Sequence, residues 1–397
     1  MRIMHLSSEY PPIQVFGLGR AVRDLAVAQA SLGHRVEVIT NSIGGRDKDA
    51  VVDGVGVHRI SFPPPPKPPD DTMAVTQFNV SVIEAAAQLI DATGAPDIFH
   101  VHDWLTVQCG KMLKWLHPSA ALAVTIHDTA HGKHFGRMNP PVQYTAHLER
   151  YACEQADLTI CCSEYVRQEL LNHYYADPGR VKIIPCGVDE WGFRVDGDCR
   201  AFRNTFAAPD DCLILYVGRL DEEKGLPHLL EALAHVLLVE GRARLVIAGK
   251  GMLQQSLQQR AGQLQIGDRV RFAGYVTGDA LAGLYRSADV LVVPSLYEPF
   301  GLVALEGMIC GTPVVVSDTG GLSEIVEDGH TGLRVPPADA AALGRAILRV
   351  LSDGDLATRI GQAGAAHARE RYNWRDIAAN TVAAYEHCHT QIAGPVA

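Results

Sequence analysis

No two of the nine cysteines stand in a C-x-x-C spacing, and Cys161 and Cys162 are adjacent within an apolar, strand-like run. A disulfide framework or a zinc site therefore lacks support, and the thiols read as small buried side chains. Positive charge is short as well: 35 Lys and Arg stand against 45 Asp and Glu, a formal net charge of −10. That balance argues against nucleic acid as the partner, because phosphate backbones are bound by clustered cations. No run approaches the ~18 consecutive apolar residues of a membrane span. The opening MRIMHLSSEYPP lacks the apolar core of a signal peptide and reads as a first strand, so the expected location is cytoplasmic. Neither Gly17-Leu18-Gly19 nor Gly249-Lys250-Gly251 completes the G-x-G-x-x-G fingerprint of dinucleotide-dependent dehydrogenases. An acidic cluster suited to magnesium is missing, and His102, Asp103 and His127 lack ligand spacing. Neither a metal nor a cofactor is expected.

What is present is a globular chain, 47% hydrophobic and 20% charged, whose 397 residues suffice for two domains with their own cores. Two segments share one plan. Met1 to Thr40 reads as strand, glycine-bearing loop, helix, glycine and strand, and Cys212 to Gly249 repeats that order with Lys224-Gly225-Leu226 closing its loop. The pattern predicts an α/β protein of two doubly wound domains. The first takes in the strand and loop DIFHVHDW, then AVTIHDTAHGKHFG, and contains SFPPPPKPPDD, whose six prolines favour stiff, extended backbone. Val188 to Asp211, rich in Gly and Asp without an apolar period, reads as the linker, and a final helix runs from Asp376 to His389.

The informative stretch is Asp289 to Asp328. Val290 to Val293 reads as a buried strand, Pro294 to Pro299 as a loop, Gly301 to Cys310 as a helix stopped by Gly311, and Pro313 to Val316 as the next strand. In a parallel sheet such a helix start offers unpaired N–H groups, here of Phe300, Gly301 and Leu302, to an anion. Glu298 and Glu306 flank that cradle. A ligand with a diphosphate in its middle and hydroxyls at both ends fits, which is the build of a nucleotide sugar: Glu306 on the ribose, Glu298 on the transferred sugar. Breaking the glycosidic bond loads charge onto the departing diphosphate, and Arg219 and Lys224, five residues apart after the strand LILYVG, are the cations placed to meet it.

The two glutamates, with seven residues between them inside PSLYEPFGLVALEGMICGTPVVVSDTGGLSEIVEDGHTGLRVPP, resemble the donor-site signature of the retaining glycosyltransferases of family 4, which include glycogen synthases, sucrose synthases and phosphatidylinositol mannosyltransferases. The resemblance implies the GT-B fold, two facing Rossmann-like domains with a cleft between them: residues 1–190 for the acceptor, 191–375 for the nucleotide sugar, and the helix 376–390 packing back on the first. It implies a metal-independent transfer, with retention, of a hexosyl group, glucose-like, from a UDP- or ADP-sugar to a hydroxyl of a small molecule, a glucan or a lipid-linked acceptor. GRLDEEKG is close to the family's Gly-Arg-x(4)-Lys-Gly pattern, which puts Arg219 and Lys224 on the diphosphate. His127 in VTIHD matches a histidine that touches the donor sugar, and Asp103 in HVHDW a cleft carboxylate on the acceptor side. Gly249, Lys250, Tyr275 and Val276 resemble segments lining the base pocket. The first loop departs from the family's Gly-Gly-Leu: Phe16 precedes Gly17, and Gln14 stands where glycogen synthases carry lysine. The departures point away from a glycogen-type acceptor arrangement and put Phe16 on the acceptor side. A nucleotide-sugar epimerase and a glucan-elongating enzyme are the alternatives of similar build. Peripheral membrane contact has only the helix KMLKWLH in its favour.

Overall fold

The computed structural model describes residues 1–12, 17–42, 49–61, 72–194 and 200–393, so Gln14, Phe16, the proline-rich stretch and Cys199 lie outside the described residues. The chain divides into two units: Met1–Gly187 with Trp374–Ala397 form unit 1, and Val188–Asn373 form unit 2.

Unit 1 is built on eight strands: β1 (Arg2–Leu6), β2 (Arg35–Ser42), β3 (Ala50–Val52), β4 (Val55–Ser61), β5 (Ile98–His102), β6 (Ala121–Ile126), β7 (Leu158–Cys161) and β8 (Val181–Ile183). Their order is β3-β4-β2-β1-β5-β6-β7-β8, parallel throughout except for the β3–β4 hairpin. β5 and β6 are buried along their whole length, as expected where helices cover both faces of a parallel sheet. The hairpin was not anticipated. Its signal is Asp53-Gly54 between valines, both at positive φ (52° and 83°), the turn whose twist matches paired strands. The helix Trp374–Ala393 belongs to this unit. It packs against the helix Leu18–Ser31 and against β6 and β7, and its Val382 and Tyr385 join Ile3, Val22, Val38 and Ile98 in one core.

The helix Thr72–Thr93 is long and apolar enough, by length and composition, to cross a membrane. Its buried residues Val75, Phe78, Val82, Ala86 and Ile90 recur at helical spacing and face β2, β4 and the helix Val107–Leu116, the pattern of a one-sided core helix.

Unit 2 carries six parallel strands, β9 (Cys212–Val217), β10 (Ala243–Ala248), β11 (Val270–Gly274), β12 (Val290–Val293), β13 (Val314–Ser317) and β14 (Leu333–Val335), in the order β11-β10-β9-β12-β13-β14. The helix Leu226–Leu237 follows Gly225 and buries Leu226, Leu229, Leu230, Leu233 and Val236 completely. At about 1.5–3 kcal/mol for each buried aliphatic side chain, that stripe is a main anchor of the unit. The expectation of a linker over Val188 to Asp211 is corrected. Trp191–Phe193 form a 3₁₀ turn and Arg200–Phe206 a helix, and Phe193 is buried with its ring edge-on to Tyr285 at 5.7 Å. A seven-residue helix is too short to display a period in the sequence.

Each sheet begins at a central strand, winds outward on one side, and resumes on the other. The reversal lies between β1 and β5 in unit 1 and between β9 and β12 in unit 2, and such points open a ligand crevice beyond the carboxyl ends of the strands.

Candidate active site

In unit 2 the loops after β9 and β12 flank the reversal and are tied to each other. Gly225 sits at φ +66°, and a Cβ there would lie 2.0 Å from the carbonyl oxygen of Pro294. Only glycine suits both the backbone conformation and the close approach. The Glu223 carbonyl accepts from the N–H groups of Leu296 (2.8 Å) and Tyr297 (3.2 Å). Across this seam Lys224 Nζ donates to Glu298 Oε2 at 2.9 Å, and Ser295 Oγ donates to the same oxygen at 3.0 Å. The Lys224 and Glu298 side chains are only 16% and 14% exposed. Arg219 is held differently: its guanidinium binds Asp221 at 2.9 Å and also Glu223, and its carbonyl accepts from the Tyr216 hydroxyl at 2.6 Å. The structure thus brings Lys224 and Glu298 together and seats Arg219 among its neighbouring carboxylates.

The helix Leu302–Ile309 starts from Gly301 at φ +116°, where a Cβ would lie 2.7 Å from Leu322 Cδ2. Phe300 is buried with its ring edge-on to Tyr372, and the Glu298 carbonyl accepts from Gly321 N–H at 2.9 Å. The helix start is therefore rigidly placed, and the N–H groups of Gly301 and Leu302 come before the first carbonyl the helix can turn back to. Glu306 accepts from the Tyr285 hydroxyl at 2.6 Å. At Gly249 a Cβ would lie 1.8 Å from the Gly218 carbonyl oxygen, so the loop after β10 is pressed onto that after β9. Tyr275 stands 57% exposed beyond the edge strand β11, and Val276 beside it is half-buried. The nearest atom to a Cβ built on Gly274 is Lys250 Cε, 3.9 Å away, which places Lys250 beside the loop after β11. Taken together, cations, helix N–H groups and carboxylates around one reversal point can hold an anion with hydroxyls on either side.

In unit 1, Gly17 opens the helix Leu18–Ser31. Asp103 follows β5 at φ +56°, uncommon for a residue with a side chain. Its N–H donates to the Thr125 carbonyl, and its Oδ1 accepts from the His127 N–H at 2.8 Å. Burial, aided by the negative charge of Asp128, holds its carboxyl well above the usual carboxylate range. The acceptor-side expectation for Asp103 thus meets a group engaged in joining the loops after β5 and β6. His127 is brought down to about 4 by burial, Asp128 opposing, and is neutral near pH 7. Its Nε2 lies 3.3 Å from His102 Nδ1, and His102 lies 2.9 Å from His5. The sequence reading missed His5 and His100. The signal was available: His100 and His102 alternate along β5, and His5 is the register partner of His100 on β1. Among the described residues, His5, His100 and His102 form the group whose ligand atoms, within 4.8 Å of one another, could share a metal ion. All three are already hydrogen-bonded to other side chains.

Two parallel-sheet units, one with an anion cradle at its topological reversal, define a glycosyltransferase of the GT-B fold. Family models agree over most of the length: one described as Glycosyltransferase Family 4 matches residues 15–191 and one described as Glycosyl transferases group 1 matches residues 200–367. The chain belongs to this family. It is 33% identical to a glycogen synthase of Mycobacterium tuberculosis, over 97% of this chain and 94% of that protein. It is also 33% identical to a D-inositol 3-phosphate glycosyltransferase of Streptomyces bingchenggensis, over 97% and 89%. Among solved structures, sucrose-phosphate synthase of Thermosynechococcus elongatus superposes with a TM-score of 0.83 at 29% identity, covering 98% of each chain. HepE of Anabaena, solved with UDP and glucose, gives a TM-score of 0.78 at 20% identity, covering 97% of this chain and 99% of that one. The chain is a glycosyltransferase that transfers sugar from a nucleotide sugar.

Proposed function

We propose that the chain transfers a hexosyl group, with retention and without a divalent metal, from a UDP- or ADP-hexose to an acceptor hydroxyl. The observation that carries this reading is the Lys224–Glu298 pair spanning the two loops at the unit 2 reversal, a cation and a carboxylate side by side at a rigid helix start. Lys224, with Arg219, meets the charge gathering on the diphosphate, and the N–H groups of Phe300, Gly301 and Leu302 take its oxygens. Glu306 accepts from the ribose, Glu298 from the sugar. Gly249, Lys250, Tyr275 and Val276 line the base. Gly17 lets the first loop's backbone N–H groups reach the donor, neutral His127 bonds a sugar hydroxyl, and Phe16 and Asp103 shape the acceptor side. As the likeness to retaining enzymes implies, the acceptor attacks the face the diphosphate leaves and the departing phosphate takes the acceptor's proton, which keeps the configuration at the reacting carbon.

The acceptor is a small molecule, a glucan or a lipid-linked acceptor. The relatives span acceptors as different as glycogen and an inositol phosphate by their names, and the Phe16 departure favours a small acceptor. We place the activity in the cytoplasm, where nucleotide sugars are made. The test is a panel of UDP-, ADP- and GDP-hexoses read by release of nucleotide diphosphate, with and without candidate acceptors, in EDTA. Acceptor-stimulated release in EDTA is expected from a UDP- or ADP-sugar. Product epimerised without an acceptor, or activity restored only by magnesium, refutes the reading.

A further inference from the structure

Behind His127 lies an unbroken series of hydrogen bonds within unit 1. His127 Nε2 meets His102 Nδ1 (3.3 Å), His102 Nε2 meets His5 Nδ1 (2.9 Å), and His5 Nε2 meets Gln29 Oε1 (2.7 Å). From Gln29 Nε2 the series goes on to the Tyr385 hydroxyl (3.3 Å), His100 Nδ1 (2.6 Å) and, through His100 Nε2, Thr125 Oγ1 (2.7 Å). His5, Gln29, His100 and Tyr385 have no solvent exposure. Burial brings His5 down to about 4 and puts His100 and His102 lower than usual, so the imidazoles are neutral near pH 7.

A neutral imidazole has one N–H and one lone pair, so each ring that donates on one side must accept on the other. The series therefore has a single polarity, and one member chooses it. Gln29 alone has its roles fixed by element, the amide nitrogen donating and the oxygen accepting, so they cannot exchange by shifting a proton between ring nitrogens or turning a hydroxyl. With Oε1 toward His5, His5 donates from Nε2 and accepts at Nδ1, His102 donates from Nε2, and His127 donates from Nε2. At the other end Gln29 donates to Tyr385, Tyr385 to His100 Nδ1, and His100 Nε2 to Thr125. Turning the amide over reverses every bond. The distances select the first arrangement: 2.7 Å suits N–H···O, and 3.3 Å is long for the O–H···O contact that the reversed amide requires.

We infer that Gln29, acting through His5 and His102, is a positioning residue that sets the tautomer of His127, keeping its proton on Nε2 and presenting Nδ1 as a hydrogen-bond acceptor. The catalytic value of that tautomer rests on the proposed contact between His127 and a sugar hydroxyl, which would donate to Nδ1. The tautomer itself does not depend on that contact.

The experiment is ¹H–¹⁵N correlation spectroscopy of the imidazoles in full-length protein labelled at histidine, near pH 7, alongside steady-state kinetics. Wild type should show Nε2–H and bare Nδ1 at His5, His102 and His127. In Gln29→Leu the His5 Nε2–H would lose its buried acceptor, a costlier loss than leaving a lone pair unused, so the three rings should switch together to Nδ1–H. Turnover should then fall about tenfold, the worth of one neutral hydrogen bond, with little change in donor KM. Tyr385→Phe removes only the His100 branch and should leave His127 as in wild type, so it tests the direction of control even if Gln29→Leu fails to fold. His127 with its proton on Nδ1 in wild type, an unchanged His127 tautomer in Gln29→Leu, or a switched one in Tyr385→Phe overturns the inference. So does stoichiometric zinc in protein purified without added metal, since an ion would take the lone pairs of His5, His100 and His102. A tautomer that switches in Gln29→Leu while turnover stays at wild type upholds the inference and removes His127 from the transfer.

Discussion

Lys224 and Glu298 invite a perturbation whose size follows from their geometry. At 2.9 Å and an effective dielectric of about 20, their attraction is about 6 kcal/mol before desolvation. Both side chains are mostly out of water, and desolvation removes several kcal/mol, leaving a coupling of about 1–3 kcal/mol. A double-mutant cycle of Lys224→Met, Glu298→Gln and the pair measures it by thermal denaturation. Each single variant should lower the melting temperature of unit 2 by roughly 2–8 °C, and the double variant should lose no more than the worse single, because neither leaves the other charge stranded. Turnover should behave differently. Lys224 faces charge that grows as the bond breaks, so Lys224→Met should lower kcat by about a hundredfold, near 3 kcal/mol. Glu298→Gln should also lose turnover yet still bind nucleotide diphosphate, and the double variant should not recover. Additive stability losses would show that the bond does not form in solution. Turnover of Lys224→Met within about tenfold of wild type would place the cation away from the reacting bond.

Gly225→Ala puts a methyl group 2.0 Å from the Pro294 carbonyl at a left-handed backbone position. It should cost about 3 kcal/mol or more and abolish donor binding together with the loop seam; a variant with wild-type melting temperature and KM refutes the close approach. Glu306→Ala should mainly raise the donor KM and weaken nucleotide diphosphate binding in calorimetry, and Tyr285→Phe, which removes the 2.6 Å hydrogen bond to the Glu306 carboxylate, should do so by a smaller factor; loss of kcat with unchanged KM in Glu306→Ala contradicts a ribose contact. Acid should destabilise unit 1 early. His5, His100, His102 and His127 titrate lower in the folded chain than their ordinary 6.5, down to about 4 for His5 and His127, so between those values the unfolded chain binds more protons and stability falls as pH drops. His58, raised by its bonds to Glu37 and Asp49, works the opposite way: its contribution is complete below 6.5 and lost as pH rises through its folded value. Melting temperatures measured from pH 7 to 4 should fall, and less steeply in His5→Gln; a flat profile contradicts the neutral histidines.

Much of this was legible in order along the chain because parallel sheets write their strands as apolar runs, and Val290–Val293 and Val314–Ser317 are buried strands of that kind. Glu298, Gly301 and Glu306 could be placed around a helix start because all lie in one strand–loop–helix segment. What spacing could not show was pairing over long separations. Lys224 and Glu298 are 74 residues apart, and nothing local distinguishes that pair from Lys224 beside Glu222 or Glu223. The partners of Arg219 needed the turn geometry. The histidine series needed β1 beside β5, which is decided by strand order, and Tyr385, 285 residues from the His100 it bonds. The hairpin at Asp53-Gly54 was missed for a weaker reason, since its turn chemistry was local and readable.

The helix Trp374–Ala393 closes the core of unit 1, yet unit 2, Val188–Asn373, comes first along the chain. During synthesis, therefore, Ile3, Val22, Val38 and Ile98 wait for Val382 and Tyr385 while the intervening segment is made, roughly 10–40 s at ordinary elongation rates. Unit 2, contiguous in sequence, waits for no later segment and can complete its core before unit 1 does, the reverse of the order in which the two begin. Through that interval Gln29 and His100 lack the Tyr385 hydroxyl that both bond in the folded unit.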